Sequence, residues 1–383
     1  MMTIKTTQDS SVQNQEAQLP LLPLPIDFET KQIFKKLQAA SRALAELKGV
    51  ALTIPNQNIL ISTLSLQEAK DSSAIENIIT TQDELYRSDV KRGYFASTAA
   101  KEVHRYASAL RSGFQSVKET GLLTNNHIQA IQAELEGNNA GFRSQAGTVL
   151  KNDQTNEVIY TPPQSYENIL YYMKNLEGYI NNPALCELDP LIKMAIIHHQ
   201  FESIHPFFDG NGRTGRIINI LYLVQNGLLD TPILYLSRYI NQNKSDYYQL
   251  LQEVRIKERW EAWVLFMLEG ILQTAYHTID MINAIRTLMQ QQKNILRTNL
   301  PKIYSQDLLN HLFQHPYTKR IYLEEELNIT RPTASKYLNQ LLEINMISIH
   351  KIGKQNIYIN NELFDLLYNV GAKSIKESIE GKF

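Results

Sequence analysis

His205-Pro206-Phe207-Phe208-Asp209-Gly210-Asn211-Gly212-Arg213-Thr214-Gly215-Arg216 concentrates more chemistry than any other stretch of this chain. Gly210 and Gly212 allow backbone conformations that a β-carbon resists. At the start of a helix, the free N–H groups and the dipole favour an anion. Arg213 and Arg216 lie three apart and project from one helix face, as two guanidinium forks suited to a polyphosphate. Asp209 offers a carboxylate of the kind that holds magnesium on phosphates. His205 precedes the loop and has a side chain that takes a proton near neutral pH. Base, metal ligand, anion loop and two cations together are the parts of phosphoryl or nucleotidyl transfer. The string is not a Walker loop, because no Gly-Lys-Ser/Thr ending is present.

At every fixed position this string resembles the signature of Fic (filamentation-induced-by-cyclic-AMP) proteins, His-x-Phe-x-Asp/Glu-Gly-Asn-Gly-Arg-x-x-Arg. The flanking Ile204, Phe201 and His198 are similar too, and the likeness extends over roughly residues 100–275. The resemblance implies a protein adenylyltransferase with ATP as donor and Mg2+ as cofactor. His205 would deprotonate a Ser, Thr or Tyr hydroxyl of a target protein, and Asp209 would hold the metal. Gly210, Asn211 and Gly212 would cradle the phosphates through backbone and amide donors. Thr214 and Gly215 belong to the same nucleotide segment. Arg213 would meet the β-phosphate and Arg216 the γ-phosphate. Tyr247 resembles the first of a tyrosine pair beside the base. Family members commonly carry Asn seven positions beyond that pair, where this chain has Arg255, which weakens the base contact. The strand-turn-strand pattern of Gly147–Tyr160 occupies the place of the family's flap. There Val158, Ile159 and Tyr160 would dock a target strand by β-augmentation. Self-modification is an expected side reaction.

Ser72-Ser73-Ala74-Ile75-Glu76-Asn77 resembles the family's inhibitory motif, Ser/Thr-x-x-x-Glu-Gly/Asn. Ser72 and Glu76 are i and i+4, on one face of a helix expected over 72–85. The resemblance implies that Glu76 pairs with Arg216 and withholds it from the γ-phosphate. Removal of AMP with the help of this glutamate is an alternative activity within the same family.

Outward from these motifs, helical periodicity dominates, with apolar positions such as Ile33, Phe34, Leu37, Leu44 and Leu47 at helical spacing. Residues 1–19 are polar and are expected to be mobile, and Leu21–Pro25 is expected to pack as an extended segment. The fold class is mostly α: a helical Fic fold with one β-hairpin flap, followed by a winged helix-turn-helix. The expected divisions are an N-terminal helical region over 1–95 with the inhibitory helix, a catalytic domain over 96–297 and a winged-helix domain over 298–383. Thr330–Leu342 would be the recognition helix, with Arg331, Thr333, Ser335, Lys336, Lys351 and Lys354 as contacts if the tail meets DNA. Glu324, Glu325 and Glu326 oppose that reading. A homodimer interface or target capture is the alternative use of the tail, and a DNA-binding regulator that only senses nucleotide is the rival function.

The 383 residues carry 38 Lys and Arg against 39 Asp and Glu, a net charge of −1. Global attraction to nucleic acid or to an anionic membrane is therefore not expected. The single cysteine, Cys186, excludes an intrachain disulfide and a cysteine-rich zinc site. His198 and His199 are read as helix-packing residues. Without a signal-peptide pattern or an apolar run of spanning length, the expected location is cytoplasmic.

Overall fold

The structure is a computed structural model that describes residues 2–6, 17–88, 94–152, 155–352 and 355–372. A strand, β1 (Met2–Thr6), comes first. Residues 19–25 lie on the surface without regular structure, bending at Leu22, Pro23 and Pro25 rather than running extended as expected. Leu22 is buried, and its N–H and carbonyl both bond the Asn175 amide at 2.9 Å. Helix α1 (Lys31–Ala51) starts at Thr30, whose hydroxyl accepts from Ile33 N–H. The sequence predicts a break between Lys70 and Ser72, but α2 (Gln57–Ile75) runs straight through it. Nearly all of Thr63–Ser73 is buried, including Ser65, Glu68, Ser72 and Ser73, so no polar face marks the helix for a reader of periodicity. The helix ends instead at Glu76, followed by Asn77 in the left-handed region at φ 63°. Asn tolerates that conformation better than other side chains do. A separate short helix, α3 (Gln82–Arg87), then begins with a Thr81–Glu84 capping box.

Helices α4 (Thr98–Thr120) and α5 (Asn125–Glu136) lead to strands β2 (Thr148–Asn152) and β3 (Val158–Tyr160), then to α6 (Tyr166–Asn181). Helix α7 (Pro190–Ile204) is buried from Leu191 to Ile204. Apart from Lys193, whose ammonium lies 4.7 Å over the Tyr179 ring, it is apolar over Leu191–Ile197, which suits the centre of the core. Helix α8 (Asn211–Gln225) packs beside it and is buried at every position from Arg213 to Leu223. The loop between them, residues 205–210, is therefore held by two core helices. Helices α9 (Leu236–Gln242) and α10 (Lys244–Lys257) follow, and α11 (Trp260–Asn299) runs along α1.

Residues 2–6 depart from the expectation of mobility. β1 pairs antiparallel with β2, Met2 opposite Asn152 and Thr6 opposite Thr148, giving a three-stranded sheet in the order β1-β2-β3. The alternating pattern of Met2–Thr6 is too short to read as a strand without its partner.

Beyond α11 lie α12 (Gln306–Gln314), β4 (Tyr317–Thr318), α13 (Arg320–Leu327), α14 (Arg331–Glu343), β5 (Ser348–Ile352), β6 (Gln355–Ile359) and α15 (Asn361–Ala372). The strands form a sheet in the order β4-β6-β5. Helix α12 packs on α2, where Ser62 Oγ donates to Gln314 O at 3.2 Å. Arg331 and Lys336 are exposed on α14, whereas Lys354 lies outside the described residues. No helix among the described residues is long and apolar enough to cross a membrane.

Candidate functional site

A cavity of about 580 Å³ opens at the N-terminus of α8. Its lining includes Glu76, Leu150, Glu202, His205, Asp209, Gly210, Gly212, Arg213, Arg216, Tyr247 and Tyr248. This volume lies within the usual range for a small-molecule site. A second cavity of about 540 Å³, beside Arg286 and Lys293, has no histidine, aspartate or glutamate among its lining residues.

His205 caps α7 in the left-handed conformation, at φ 50° and ψ 58°. Arg143, fully buried, fixes this turn. Its Nε donates to His205 O at 2.8 Å, its N–H bonds Pro206 O at 2.9 Å, and its Nη2 donates to Pro163 O at the foot of the hairpin. The His205 side chain is buried, and neither ring nitrogen has a hydrogen-bond partner among the described residues. Burial, helped by the nearby Arg143 and Arg255 charges, pushes its pKa down to about 3. The imidazole is therefore neutral at pH 7, with a lone pair available to a substrate proton.

Gly210, at φ 77°, forms the N-cap of α8, and no side chain caps the helix there. A β-carbon on Gly212 would sit 2.5 Å from Glu76 Oε1, so only glycine admits the acid at this point. The Asp209 carboxylate accepts from Gly210 N–H at 2.7 Å and is 71% exposed. It stands at the cavity edge with an oxygen free of that cap, as a magnesium ligand shared with phosphate oxygens would.

Three expected nucleotide contacts are placed differently. The Asn211 amide is taken by the loop itself: Nδ2 donates to Phe207 O at 2.8 Å and Oδ1 accepts from Phe207 N–H at 2.9 Å. Thr214 and Gly215 do not line the cavity. Thr214 is fully buried, and Gly215 packs on Glu202, Phe201 and His198. Helical rotation explains this, since positions three apart share a face and Arg213 and Arg216 take it.

Both arginines end on carboxylates. Glu76 Oε1 accepts from Arg216 Nη2 at 2.7 Å, and Glu76 Oε2 accepts from Arg213 Nε at 2.8 Å. Ser72 adds its hydroxyl and its carbonyl to Arg216 at 2.7 and 3.0 Å. Arg213 also meets Glu136 at 2.9 Å and Glu102 at 3.4 Å. Burial alone would raise the Glu76 pKa, but Arg216 and Arg213 outweigh it and hold the carboxylate below its ordinary range. An acid at a helix C-terminus is disfavoured by the helix dipole, so these two cations also offset the position of Glu76.

Tyr247 is buried and shares a 2.8 Å hydrogen bond with His198 Nε2 while packing against Trp263. It forms the cavity wall as a core residue, and Tyr248 is the more exposed of the pair. In the hairpin, Ile159 O accepts from Gln252 Nε2 at 2.7 Å, and the Tyr160 hydroxyl donates to Ser203 O at 2.7 Å. The Arg255 guanidinium lies 3.8 Å over the Tyr160 ring. The outer edge of Val158–Tyr160 is thus turned onto α7 and α10. The edge that can add a strand belongs to β2, and β1 takes it.

Sequence reasoning missed Arg143, Glu202 and Glu68. Glu202 is buried one turn before His205, its Oε1 has no hydrogen-bond partner among the described residues, and burial pushes it up to about 7. Glu68 accepts from Tyr106 and Ser237 under Arg216 and is likewise pushed up to about 7 by burial. Neither acid stands in a recognisable motif. For Glu202, its place one turn before His205 was the available signal.

Three family descriptions match along the chain: "Fic/DOC family N-terminal" over residues 34–115, "Fic/DOC family" over 122–223, and "Protein adenylyltransferase SoFic-like, C-terminal domain" over 288–363. The chain is 34% identical over 65 residues to protein adenylyltransferase fic-1 of Caenorhabditis elegans, covering 17% of this chain and 13% of that protein. It is 37% identical over 82 residues to a probable protein adenylyltransferase of Aquifex aeolicus (strain VF5), covering 21% and 25%. The matched segments thus span a quarter or less of these relatives' own lengths. Among solved structures, a Fic family protein from Desulfovibrio desulfuricans G20 superposes with a TM-score of 0.53 at 20% identity, over 88% of this chain and 97% of that one. Fic-1 (residues 134–508) from Caenorhabditis elegans gives 0.51 at 19% identity, over 66% and 73%. With the three matches running in succession over a fold of the same kind, the chain belongs to the Fic family.

Proposed function

We propose that this protein transfers AMP from ATP to a hydroxyl on a target protein, and that Glu76 holds it off. The observation that carries the reading is the shared cavity. A neutral buried base, an exposed carboxylate and an uncapped helix N-terminus line it, together with the two arginines. The protein relatives named as adenylyltransferases support the reaction type.

In the reaction proposed, His205 Nδ1 or Nε2 takes the proton of the target Ser, Thr or Tyr hydroxyl. The oxygen forms a bond to the α-phosphorus of ATP as the bond to the α,β-bridging oxygen breaks, and pyrophosphate leaves. The N–H groups of Asn211 and Gly212 hold phosphate oxygens, the Gly210 N–H being taken by Asp209, and Arg213 and Arg216 take the β- and γ-phosphates once Glu76 withdraws. Asp209 would hold Mg2+, which supplies charge neutralisation on the phosphates. Tyr248 is the better candidate for the base, since Tyr247 is committed to the core. Intact-mass spectrometry of Glu76→Gly protein with Mg-ATP tests the reading. One added AMP unit supports it, whereas unchanged mass and no labelled protein in a lysate would overturn it.

Asp209→Ala is expected to lower the transfer rate by about 10²-fold or more, with excess Mg2+ restoring part of it, because one of few protein ligands is lost. A rate curve against Mg2+ concentration checks this.

A target strand would add to the outer edge of β2, where β1 now lies. A tethered occupant competes at an effective concentration of about millimolar. Deleting residues 1–16 is therefore expected to raise labelling of a target in trans by about tenfold and to remove any label within residues 1–16. Unchanged labelling of the target would count against this edge as the docking site.

The three divisions proposed for the chain are 1–95, 96–297 and 298–383, with the last a winged helix. Exposed Arg331 and Lys336 on α14 keep DNA in play, while Glu324–Glu326 on α13 favour a protein partner or a second copy. A gel shift at low salt separates these uses.

A further inference from the structure

The C-terminal unit holds a side-chain cluster that transfer chemistry does not use. His311 stands in the last turn of α12 and His315 at its C-cap, four residues apart and so on one face. Glu326 reaches them from α13. Its Oε2 lies 2.7 Å from His311 Nδ1, and its Oε1 lies 2.7 Å from His315 Nε2. The three ligand atoms all lie within 4.8 Å of one another.

We propose that His311, His315 and Glu326 bind a divalent transition-metal ion, with zinc the best fit by donor type. Two imidazoles and one carboxylate are borderline donors that suit zinc and poorly suit magnesium or calcium. Two histidines one helical turn apart are a recurring zinc chelate, and three protein ligands leave a fourth position for water or a partner's group. A tetrahedral ion with bonds of about 2.1 Å separates its ligands by ~3.4 Å, within the spread seen here.

The surroundings support a ligand role. A metal-bound imidazole needs an acceptor for its other N–H. His311 Nε2 lies 2.6 Å from Thr318 Oγ1, and the Thr318 hydroxyl has Lys319 O within 3.5 Å for its own hydrogen. With Nε2–H donating to Thr318, the Nδ1 lone pair is left facing Glu326. Tyr322 packs on His315 at 5.9 Å and restricts its ring. His311 is buried, whereas His315 and Glu326 are 23% and 30% exposed, which gives an ion a path from solvent.

The test uses the untagged full chain, stripped with a chelator and titrated with zinc chloride alone by calorimetry and equilibrium dialysis. One zinc per chain is expected, at low-micromolar affinity or tighter. His315→Ala should weaken it by about 100-fold or more, and Thr318→Val by about 10–100-fold through loss of the acceptor. Asp209→Ala should leave it unchanged, which separates this site from the cavity at α8. Cobalt in place of zinc should give the visible spectrum of a four- or five-coordinate ion. Less than about a tenth of a zinc per chain, or equal affinity in wild type and His315→Ala, overturns the proposal and leaves a hydrogen-bonded His–Glu–His cluster.

Discussion

Replacing Glu76 with glycine should raise AMP incorporation, into target and into the protein itself, by about tenfold or more. The size follows from what the carboxylate touches. Breaking a buried ion pair costs about 3–5 kcal/mol in strong cases. Glu76 is a quarter exposed, which reduces that figure, but it bonds both arginines at 2.7 and 2.8 Å. A third of the full value already shifts a two-state equilibrium about tenfold. Glycine also leaves the end of α2 intact, because Glu76 is at the helix C-cap and bonds Arg213 and Arg216 only through its side chain. Arg216 then loses its carboxylate and is open to phosphate, while Arg213 sheds Glu76 but keeps Glu136 and Glu102. Labelling with α-phosphate-labelled ATP measures the effect, and equal incorporation by mutant and wild type would end the self-inhibition reading. Ser72→Ala is a milder version: it removes one of the bonds to Arg216 and should give a smaller rise in the same assay.

His205→Ala, built on the Glu76→Gly background, should lose about 10²–10⁴-fold in transfer rate while still binding nucleotide, because a general base is worth about that much. The pH dependence adds a sharper expectation. An ordinary histidine base loses activity as pH falls through about 6.5. Burial pushes His205 down to about 3, so its neutral form, the one that accepts a proton, is present at all pH values well above 3. The rate should therefore show no acid limb between pH 8 and pH 5 that depends on His205. A limb near 6.5 in kcat/KM that His205→Ala abolishes would contradict this placement. If the chain were instead a DNA regulator that senses nucleotide, His205→Ala would leave its DNA response intact.

The sequence by itself determined which residues make up the candidate site and most helices around it. The signature is contiguous: a base, an anion loop and two arginines at i and i+3 depend only on local backbone geometry. Helix α8 runs over Asn211–Gln225 and begins at the glycine loop, where the sequence places a helix start. Ser72 and Glu76 were legible as a pair for the same reason, although the helix that bears them was not, because α2 is buried on nearly all sides through this region.

Only the tertiary structure decided which groups meet. It set Glu76 on Arg213 as well as Arg216, partners 137 and 140 positions away in sequence, a distance no periodicity spans. It turned Tyr247 into the core, spent the Asn211 amide on Phe207, and closed β3 against α10. It brought Arg143 under His205 and β1 onto the edge of β2. The physical reason is the same in each case. Hydrogen bonds and charges choose partners by proximity after the core has packed, so a residue's type limits what it can do, while the packing of α2, α7 and α8 decides what it does.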